Sequence, residues 1–266
     1  MSLLAEPAPA KINLALHVRG RLPDGRHALE TMFAFCVDGD RIEGELAEKL
    51  SLECRGPFGD AVVGENLVLT AARVLQDAAG VKAGAALRLV KNLPVASGIG
   101  GGSADAAAAL RLLTRLWAID PRHASAVAPG LGADVPACLL SLTARGTGAG
   151  DALELVDAGV AGKAVLLVNP RVGLSTASVF AGWDGVDRGP LGDWREGRND
   201  LEAPARALVP AIGEVLGWAG EQYGASIVRM SGSGATCFAL FDDEEARDAA
   251  AAACPSAWWH LATHLR

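Results

Sequence analysis

The sequence has 266 residues, of which half are hydrophobic and 21% are charged, and its formal net charge is −7 at pH 7. This composition is typical of a folded protein with one large or two modest domains, and it excludes an intrinsically disordered chain. The negative charge argues against nucleic acid as a general partner, because binding phosphates along a duplex takes a basic face. A polyanionic small molecule remains compatible, since it needs only a local positive site.

Five cysteines are widely spaced, and they form neither a C-x-x-C pair nor a cluster with zinc-ligand spacing. They are expected to be reduced thiols that pack as small hydrophobic residues. The first residues carry no basic segment followed by a long apolar one, so no secretory signal is predicted. No apolar run approaches the ~18–20 residues of a membrane span. These features predict a cytoplasmic protein that does not bind membranes.

In chain order, apolar alternation predicts strands, and apolar spacing of three and four residues predicts helices. Strands are expected at 11–18, 31–37, 41–46, 50–54, 85–90, 163–168 and 258–261. Helices are expected at 66–78, 103–117, 124–131, 205–218 and 244–253. Turns are expected at 23–25, at 56–59 and within 227–240, and a polar surface loop at 184–198. Strands and helices mix without strict alternation, which favours an α+β fold over a doubly wound sheet.

The segment Pro94-Val-Ala-Ser-Gly-Ile-Gly-Gly-Gly-Ser103 lies between a predicted strand and a predicted helix. Its four glycines let the backbone curl closely around a ligand, and the following helix points its positive end at the same place. It is not a Walker A loop, because no Gly-Lys-Ser/Thr follows, and Ser103 replaces the third glycine of a dinucleotide fingerprint. A flexible turn is the alternative, but the strand-to-helix position favours phosphate binding.

This loop resembles the phosphate loop of the GHMP kinase superfamily, Pro-x-x-x-Gly-[Leu/Ile]-Gly/Ser-Gly/Ser-Ser. A later turn, Ser231-Gly-Ser-Gly-Ala235, resembles the second glycine turn of the same superfamily. Further segments resemble one branch of it, the kinases that act on a cytidine diphosphate-linked polyol. These segments are Pro9-Ala-Lys-Ile-Asn-Leu14, Asp24-Gly-Arg-His27 with Leu29-Glu-Thr-Met-Phe33, and Leu131-Gly-Ala-Asp-Val-Pro136. The matches follow the family order over nearly the whole chain.

The resemblance implies a two-domain α+β fold of the GHMP-kinase type, with the active site in the interdomain cleft. It predicts an N-terminal domain over residues 1–152, which carries the phosphate loop, and a C-terminal domain over 153–266. It also implies ATP and Mg²⁺, and phosphorylation of the 2-hydroxyl of 4-diphosphocytidyl-2-C-methyl-D-erythritol in non-mevalonate isoprenoid biosynthesis. The expected partner is this small molecule, and the expected assembly is a monomer or a weak homodimer.

The same resemblance assigns catalysis to Lys11 and Asp134. The Lys11 ammonium is expected to stabilise charge on the acceptor oxygen and the moving phosphoryl group, and Asp134 to take the hydroxyl proton. A close pair of the two would keep the carboxylate ionised. From the residues alone, Lys11 could be a solvated strand-edge lysine, and Asp134 a helix cap or a buried salt-bridge partner.

For the nucleotide, the resemblance implies that Asn66 and Leu67 line the adenine pocket and that Lys91 lies near the nucleotide, although Lys91 could also be a solvated strand end. Ser103 is expected to cap the helix and to contact a phosphate or Mg²⁺, with the other metal ligands unknown. Asp105 departs from the commoner loop sequence, and its charge is expected to be tolerated in the first helical turn. The predicted phosphate-binding residues are Pro94, Ala96, Ser97, Gly98, Ile99, Gly100, Gly101, Gly102 and Ser103.

For the acceptor, the resemblance implies that Asn13 bonds the polyol, that His27 contacts the cytosine edge, and that Phe180 stacks on the base beside Thr176. Arg26 is a departure, because the family commonly has tyrosine there. A guanidinium plane can also stack on a base.

Two other functions remain open. One is another small-molecule kinase of the superfamily, acting on homoserine, a sugar or mevalonate, which the Asp24-Gly-Arg-His27 segment disfavours. The other is a non-catalytic nucleotide-binding protein, which the presence of both Lys11 and Asp134 disfavours. A dehydrogenase is the weakest interpretation, because the third glycine of its fingerprint is missing.

Overall fold

The computed structural model describes residues 3–62, 64 and 66–266. The chain forms two compact units whose segments interleave along the sequence. Unit 1 consists of Met1–Ala10, Asp38–Val95 and Gly100–Ser141, and unit 2 of Lys11–Val37, Ala96–Ile99 and Leu142–Arg266. The domain boundary at residue 152, which the resemblance predicts, stays a prediction.

The elements mix helices and strands, which confirms the α+β prediction. The strands are β1 Leu4–Arg21, β2 His27–Ala47, β3 Ser51–Arg55, β4 Gly84–Val90, β5 Ala144–Thr147, β6 Ala152–Leu155, β7 Ala164–Asn169, β8 Ala225–Met230, β9 Cys237–Phe241 and β10 Trp259–His264. The helices are α1 Leu67–Ala79, α2 Gly101–Leu116, α3 Pro121–Leu131, α4 Val135–Leu140, α5 Thr176–Ala181, α6 Glu202–Leu208, α7 Ala211–Gly220 and α8 Glu244–Ala252. A 3-10 turn spans Gly59–Ala61.

In unit 1, β4 pairs antiparallel with the second half of β2 and parallel with β3. Helix α2 packs against α1, α3 and α4. Its buried residues from 104 to 110 are alanines apart from Asp105 and Leu110. Such small side chains let neighbouring helices approach closely, so α2 forms the centre of this unit.

In unit 2, a four-stranded antiparallel sheet has the order β10-β7-β9-β8. Strand β7 has a neighbour on both sides and is buried along its whole length, which explains its unbroken apolar run. Helix α7 packs against β8 and β9, and α8 against β7 and β10. Strand β5 pairs with the first half of β2 and with β6 in the same unit.

Several boundaries differ from the sequence expectations. The strands predicted at 31–37 and 41–46 are one continuous strand, β2. The helix predicted over 205–218 is two helices, because Pro210 lies at the break and a proline inside a helix removes a backbone hydrogen bond. Short elements, namely α4, α5, β5 and β6, were not predicted, since four to six residues give little periodicity.

The segment 184–198 has no helix or strand, as predicted, but Leu191 and Trp194 within it are buried. Among the described residues, none of the helices is long and apolar enough to cross a membrane. No disulfide joins any of the five cysteines, which all lie in the described part of the chain.

Candidate active site

Two glycine turns meet in unit 2, and their contact depends on missing side chains. Gly98 has φ +78°, and a Cβ there would lie 2.5 Å from the Gly234 carbonyl oxygen and 2.7 Å from that of Ser231. The Ser231 hydroxyl donates to the Gly98 carbonyl (3.1 Å), and the Thr236 amide donates to the Ser97 carbonyl (3.0 Å). The late glycine turn therefore supports the residues 96–99 of the predicted phosphate loop. The sequence predicted both turns but not their contact.

Strand β1 is bonded to both turns. The Lys11 amide donates to the Ile99 carbonyl (3.0 Å), and the Asn13 amide donates to the Ser231 hydroxyl (3.2 Å). The two residues that the resemblance assigned to catalysis and to polyol binding are thus fixed by their own backbone next to residues 96–99.

Lys11 and Asn13 are both 3% exposed, so the alternative of a solvated strand-edge lysine at position 11 is wrong. The Lys11 ammonium donates to Asn13 Oδ1 (2.8 Å), and Asn13 Nδ2 donates to the Thr31 hydroxyl (2.8 Å). The same ammonium lies 5.1 Å from the centre of the Phe33 ring, within cation–π range. A positive charge is thus held in a fixed, largely dry place, where it interacts strongly with developing negative charge.

An asparagine that no sequence motif singles out holds the late glycine turn. The side-chain amide of Asn199, which is buried, donates to the carbonyls of Met230 (2.7 Å) and Gly232 (2.8 Å). It follows directly after the polar segment 184–198 that is predicted as a surface loop, where an asparagine gives no signal of burial.

The second half of the predicted phosphate loop begins helix α2 in unit 1. Gly100 is the N-cap residue, with φ +65°, and the helix starts at Gly101. The prediction that Ser103 caps the helix is therefore wrong, because Ser103 is already the third helical residue. No side chain of the described residues caps this helix end. Its first amides are thus available to an anion, and a Cβ on Gly102 would meet nothing within 4 Å.

The remaining predicted loop residues differ in exposure. Pro94, Ser97 and Ile99 are buried, whereas Ala96 is exposed and has φ +52°. A left-handed alanine is uncommon and is held here by its surroundings.

Lys91 is not a solvated strand end, as one of the alternatives had it. Its ammonium is buried between the carboxyl groups of Asp40 and Asp105, at 2.6 Å from the latter. The other oxygen of Asp40 accepts the amide of Leu93 (2.8 Å). A Cβ on Gly101 would lie 3.1 Å from the Lys91 nitrogen. The three ionisable groups therefore form a buried network directly under the start of α2.

The sequence predicts that the charge of Asp105 is tolerated in the first helical turn, but Asp105 lies beyond the first turn of α2 and is buried. Burial raises the pKa of Asp105 to about 7, although the attraction of the Lys91 ammonium opposes this rise. Burial lowers the pKa of Lys91, but the attraction of Asp105 and Asp40 outweighs it and the net pKa is raised. One Asp105 oxygen is buried without a hydrogen-bond partner among the described residues, which fits a carboxyl group that keeps its proton near neutral pH.

Asp134 is the N-cap residue of α4 in unit 1, but its side chain makes no capping hydrogen bond. It is half-buried at the end of Leu131-Gly-Ala-Asp, before the buried Val135. Asp134 thus stands at the N-cap position, as the helix-cap alternative predicts, but its side chain does not cap the helix. Lys11 belongs to unit 2, so the predicted Lys11–Asp134 pair stays a prediction.

The predicted adenine residues begin helix α1. The Asn66 side chain caps it by accepting the Val68 amide (2.8 Å), and its nitrogen lies 3.8 Å from the Cys54 sulfur. Leu67 is the first helical residue and is half-buried. Their role toward adenine stays a prediction.

Two of the predicted cytosine residues lie together in unit 2. The rings of His27 and Phe180 have centres 4.7 Å apart, and Trp183 contacts His27 edge-on at 5.6 Å. Burial, and next the charge of Arg21, lower the pKa of His27, so its imidazole is neutral at pH 7.

The other two predicted substrate residues have polar partners. Arg26 is exposed and pairs with Asp24 (2.8 Å) and Asp151 (3.2 Å). Thr176 begins α5, and its hydroxyl is 2.9 Å from that of Ser233 in the late glycine turn. The structure thus connects the start of α5 with the glycine turns of the same unit.

Two family models match the chain, "GHMP kinases N terminal domain" over residues 66–141 and "GHMP kinases C terminal" over residues 186–260. A curated 4-diphosphocytidyl-2-C-methyl-D-erythritol kinase from Rhizorhabdus wittichii is 55% identical over 278 residues, with 98% of this chain and 94% of the relative covered. The enzyme of the same name from Novosphingobium aromaticivorans is 51% identical, with 99% and 93% covered.

Solved structures agree with this. A crystal structure of 4-(cytidine 5'-diphospho)-2C-methyl-D-erythritol kinase matches with a TM-score of 0.86 at 33% identity, covering 98% of this chain and 99% of that one. A homoserine kinase from Cytophaga hutchinsonii matches with a TM-score of 0.73 at 17% identity, covering 100% and 95%, and shows the shared fold alone. The chain belongs to the 4-diphosphocytidyl-2-C-methyl-D-erythritol kinases, a family of ATP-dependent GHMP kinases that phosphorylate an alcohol.

Proposed function

We propose that this protein transfers the γ-phosphoryl group of ATP to the 2-hydroxyl of 4-diphosphocytidyl-2-C-methyl-D-erythritol in the cytoplasm. The acceptor oxygen forms a bond to the γ-phosphorus, the bond from that phosphorus to the bridging oxygen breaks, and ADP leaves. The observation that carries the proposal is the assembly in unit 2 of Lys11, Asn13 and the two glycine turns, through short backbone and side-chain hydrogen bonds.

In this proposal Lys11 supplies positive charge to the reacting groups. Its ammonium is buried and oriented by Asn13, and the Asn13 amide is fixed in turn by Thr31. A preoriented charge needs no reorganisation when the phosphoryl group moves, which is where most phosphoryl-transfer catalysis arises. Asn13 is the further candidate for a hydrogen bond to the polyol.

Asp134 takes the proton of the 2-hydroxyl in this proposal. Its side chain makes no capping bond to α4, so the carboxylate is not needed to begin that helix. Because phosphoryl transfer depends mainly on positioning and charge neutralisation, the base contributes only part of the rate.

The nucleotide phosphates are proposed to bind the loop from Pro94 to Ser103. The uncapped start of α2 and the open space at Gly102 support this, since both suit an anion that approaches the backbone. Asn66, Leu67 and Lys91 are proposed to lie on the nucleotide side, with Lys91 acting from its buried network.

Mg²⁺ is proposed to accompany ATP. Within the part of the chain that the structure describes, no group of three His, Cys, Asp or Glu side chains could hold a metal. Mg²⁺ commonly binds through substrate phosphates and water, and the Ser103 hydroxyl is the candidate protein ligand. Bound there, Mg²⁺ would neutralise charge on the transferred group.

The assay that tests the function is ADP release by the purified protein with ATP, Mg²⁺ and 4-diphosphocytidyl-2-C-methyl-D-erythritol. Homoserine, mevalonate and galactose are the control acceptors. We expect turnover with the cytidyl substrate only. Turnover with another alcohol would keep the kinase chemistry and overturn the substrate. A folded protein without turnover on any acceptor would favour the non-catalytic nucleotide-binding function.

A further inference from the structure

The expected base site lacks one aromatic ring, because position 26 is an arginine. The family commonly has a tyrosine there, whereas this chain has Arg26, whose guanidinium is exposed and paired with Asp24 and Asp151. The structure instead brings a different ring, Trp183, to His27. No sequence pattern indicates a role for Trp183.

Trp183 is placed by the end of helix α5. Its amide donates to the Phe180 carbonyl (3.2 Å), so the two residues share one turn of backbone. Both side chains are half-buried and pack against the hydrophobic core of unit 2. Packing against the core therefore holds the indole in place.

The three rings have a definite order. Phe180 lies against His27 with 32° between the ring planes, and Trp183 meets His27 at 82°. The imidazole is thus held by one ring nearly parallel to it and by a second nearly perpendicular to it. Two such contacts restrict both the tilt and the rotation of the imidazole.

Two nitrogens in this cluster have no hydrogen-bond partner among the residues that the structure describes. They are His27 Nε2 and Trp183 Nε1, and both atoms are buried. Buried polar atoms of a folded protein are nearly always paired, so two exceptions in one ring cluster point to a ligand with its own donors and acceptors. The rings around them suit a planar base.

We propose that Trp183 is a positioning residue for base recognition, which together with Phe180 fixes the His27 ring so that its unpartnered edge selects cytosine over uracil in a nucleoside diphosphate-linked substrate. This inference rests on the proposed function. Cytosine carries an amino donor where uracil carries a carbonyl acceptor, as in the C4 groups of cytosine and thymine. A fixed imidazole discriminates between the two patterns, whereas a loosened ring can turn to suit either.

The test compares Trp183→Ala and Trp183→Phe with the wild-type enzyme. For Trp183→Ala we expect the KM for the cytidyl substrate to rise by about 10- to 100-fold, the scale of one or two lost hydrogen bonds. The KM for ATP and kcat should stay within about 3-fold, and the preference for the cytidyl over the matching uridyl substrate should fall by a similar factor. Trp183→Phe should restore most of the preference, because it restores a ring.

Trp218→Ala is the matched control. Trp218 also meets another ring edge-on, that of Trp258 at 5.7 Å, within the same unit. It should change neither KM nor base preference. An unchanged KM in Trp183→Ala, or an equal change in Trp218→Ala, would overturn the inference while the wild-type turnover still supports the proposed function. A wild-type enzyme that turns over another alcohol but not the cytidyl substrate would overturn both.

Binding of cytidine diphosphate gives a readout that needs no turnover. The sequence has 6 tryptophans, so the indole N–H resonance of Trp183 can be assigned by its loss in Trp183→Phe. We expect cytidine diphosphate to shift this resonance and to leave that of Trp218 in place, and uridine diphosphate to do so only at much higher concentration. Equal responses to both nucleotides would overturn the inference even if Trp183→Ala fails to fold.

Discussion

At the residue scale, Asp134 and Asp120 are both N-cap aspartates of unit 1, but only one of them caps. Asp120 accepts the Arg122 amide at 2.8 Å, whereas Asp134 makes no such bond. We expect Asp134→Asn to keep ATP affinity and to lower kcat by about 10²-fold or more, the usual scale for a positioned base. Asp120→Asn should keep kcat, since its role is in the helix start.

The measurements are steady-state kinetics for kcat and calorimetry for ATP affinity. Near-normal turnover in Asp134→Asn would remove this carboxylate from the mechanism. A loss of ATP affinity equal to the loss of kcat would instead indicate a damaged nucleotide site.

Lys11, Asn13 and Lys91 show which features of single residues can be predicted from the sequence and which cannot. The alternation of β1 predicted that Lys11 and Asn13 share a face, which is correct, but not that this face is buried. Lys91 could be predicted only as a lysine at a strand end. Its partner Asp40 lies 51 residues earlier. A long-range ion pair leaves no periodic pattern, so only the structure could show that the charge is buried.

At the element scale, the contact between the two glycine turns decides which glycines are indispensable. Gly98→Ala places a Cβ within 2.5–2.8 Å of backbone atoms at positive φ, so it should lower the free energy of unfolding by about 1–3 kcal/mol or more. Gly102→Ala is the control from the same loop, because the added carbon meets nothing within 4 Å and alanine favours a helix.

Urea unfolding followed by circular dichroism measures both variants. Equal stability of the two would contradict the role of the turn contact. A substitution at Gly101 is expected to act elsewhere, because the added Cβ would lie 3.1 Å from the Lys91 ammonium. A valine there would therefore disturb the buried network first, and not the phosphate space as the loop sequence alone indicates.

Element boundaries were predicted well where periodicity is strong and poorly where tertiary contacts decide. Helix α1 was predicted to within a residue or so at each end, because its capping asparagine and apolar face are local signals. The segment 184–198 was predicted as a surface loop from its polarity. In the structure Glu30 of β2 accepts the Leu191 amide (2.8 Å) and pairs with Arg19 and Arg145. These partners are far apart in sequence, so the anchoring of the segment could not be predicted.

At the scale of the whole molecule, the order of the motifs identified the family, but the interleaved units could not be predicted. Both long strands, β1 and β2, contribute residues to unit 1 and to unit 2. A domain boundary placed at a single residue cannot describe such an arrangement. Local patterns define elements, whereas the units depend on which elements pair across the whole chain.

His17 gives the whole molecule a pH-dependent stability. One ring nitrogen is 3.1 Å from the Gly189 carbonyl, and the other accepts the Arg198 amide at 3.3 Å. This pairing requires a neutral imidazole. Burial lowers the pKa of His17 below 6.5; the Gly189 bond opposes this, the charge of Arg198 adds to it, and Asp200 and Glu30 oppose it. The stability that His17 contributes is therefore complete above pH 6.5 and is lost as the pH falls below it.

The stability that Asp105 contributes changes with pH in the opposite direction. Because burial raises its pKa from 3.8 to about 7, the folded protein holds a proton that the unfolded chain releases. Its contribution is therefore largest at low pH and declines as the pH rises toward 7, by at most about 1.4 kcal/mol per pH unit. In wild-type protein the two residues act against each other between pH 5 and 7.

Variants separate the two contributions. Urea unfolding from pH 5 to 8 should show His17→Gln losing less stability than wild type as the pH falls from 7 to 5, because glutamine can donate and accept without titrating. Asp105→Asn should lose more than wild type over the same range, because it lacks the proton uptake that opposes the loss. Parallel pH profiles for wild type and both variants would show that neither group titrates between these limits, and would contradict the buried, proton-holding state assigned to Asp105.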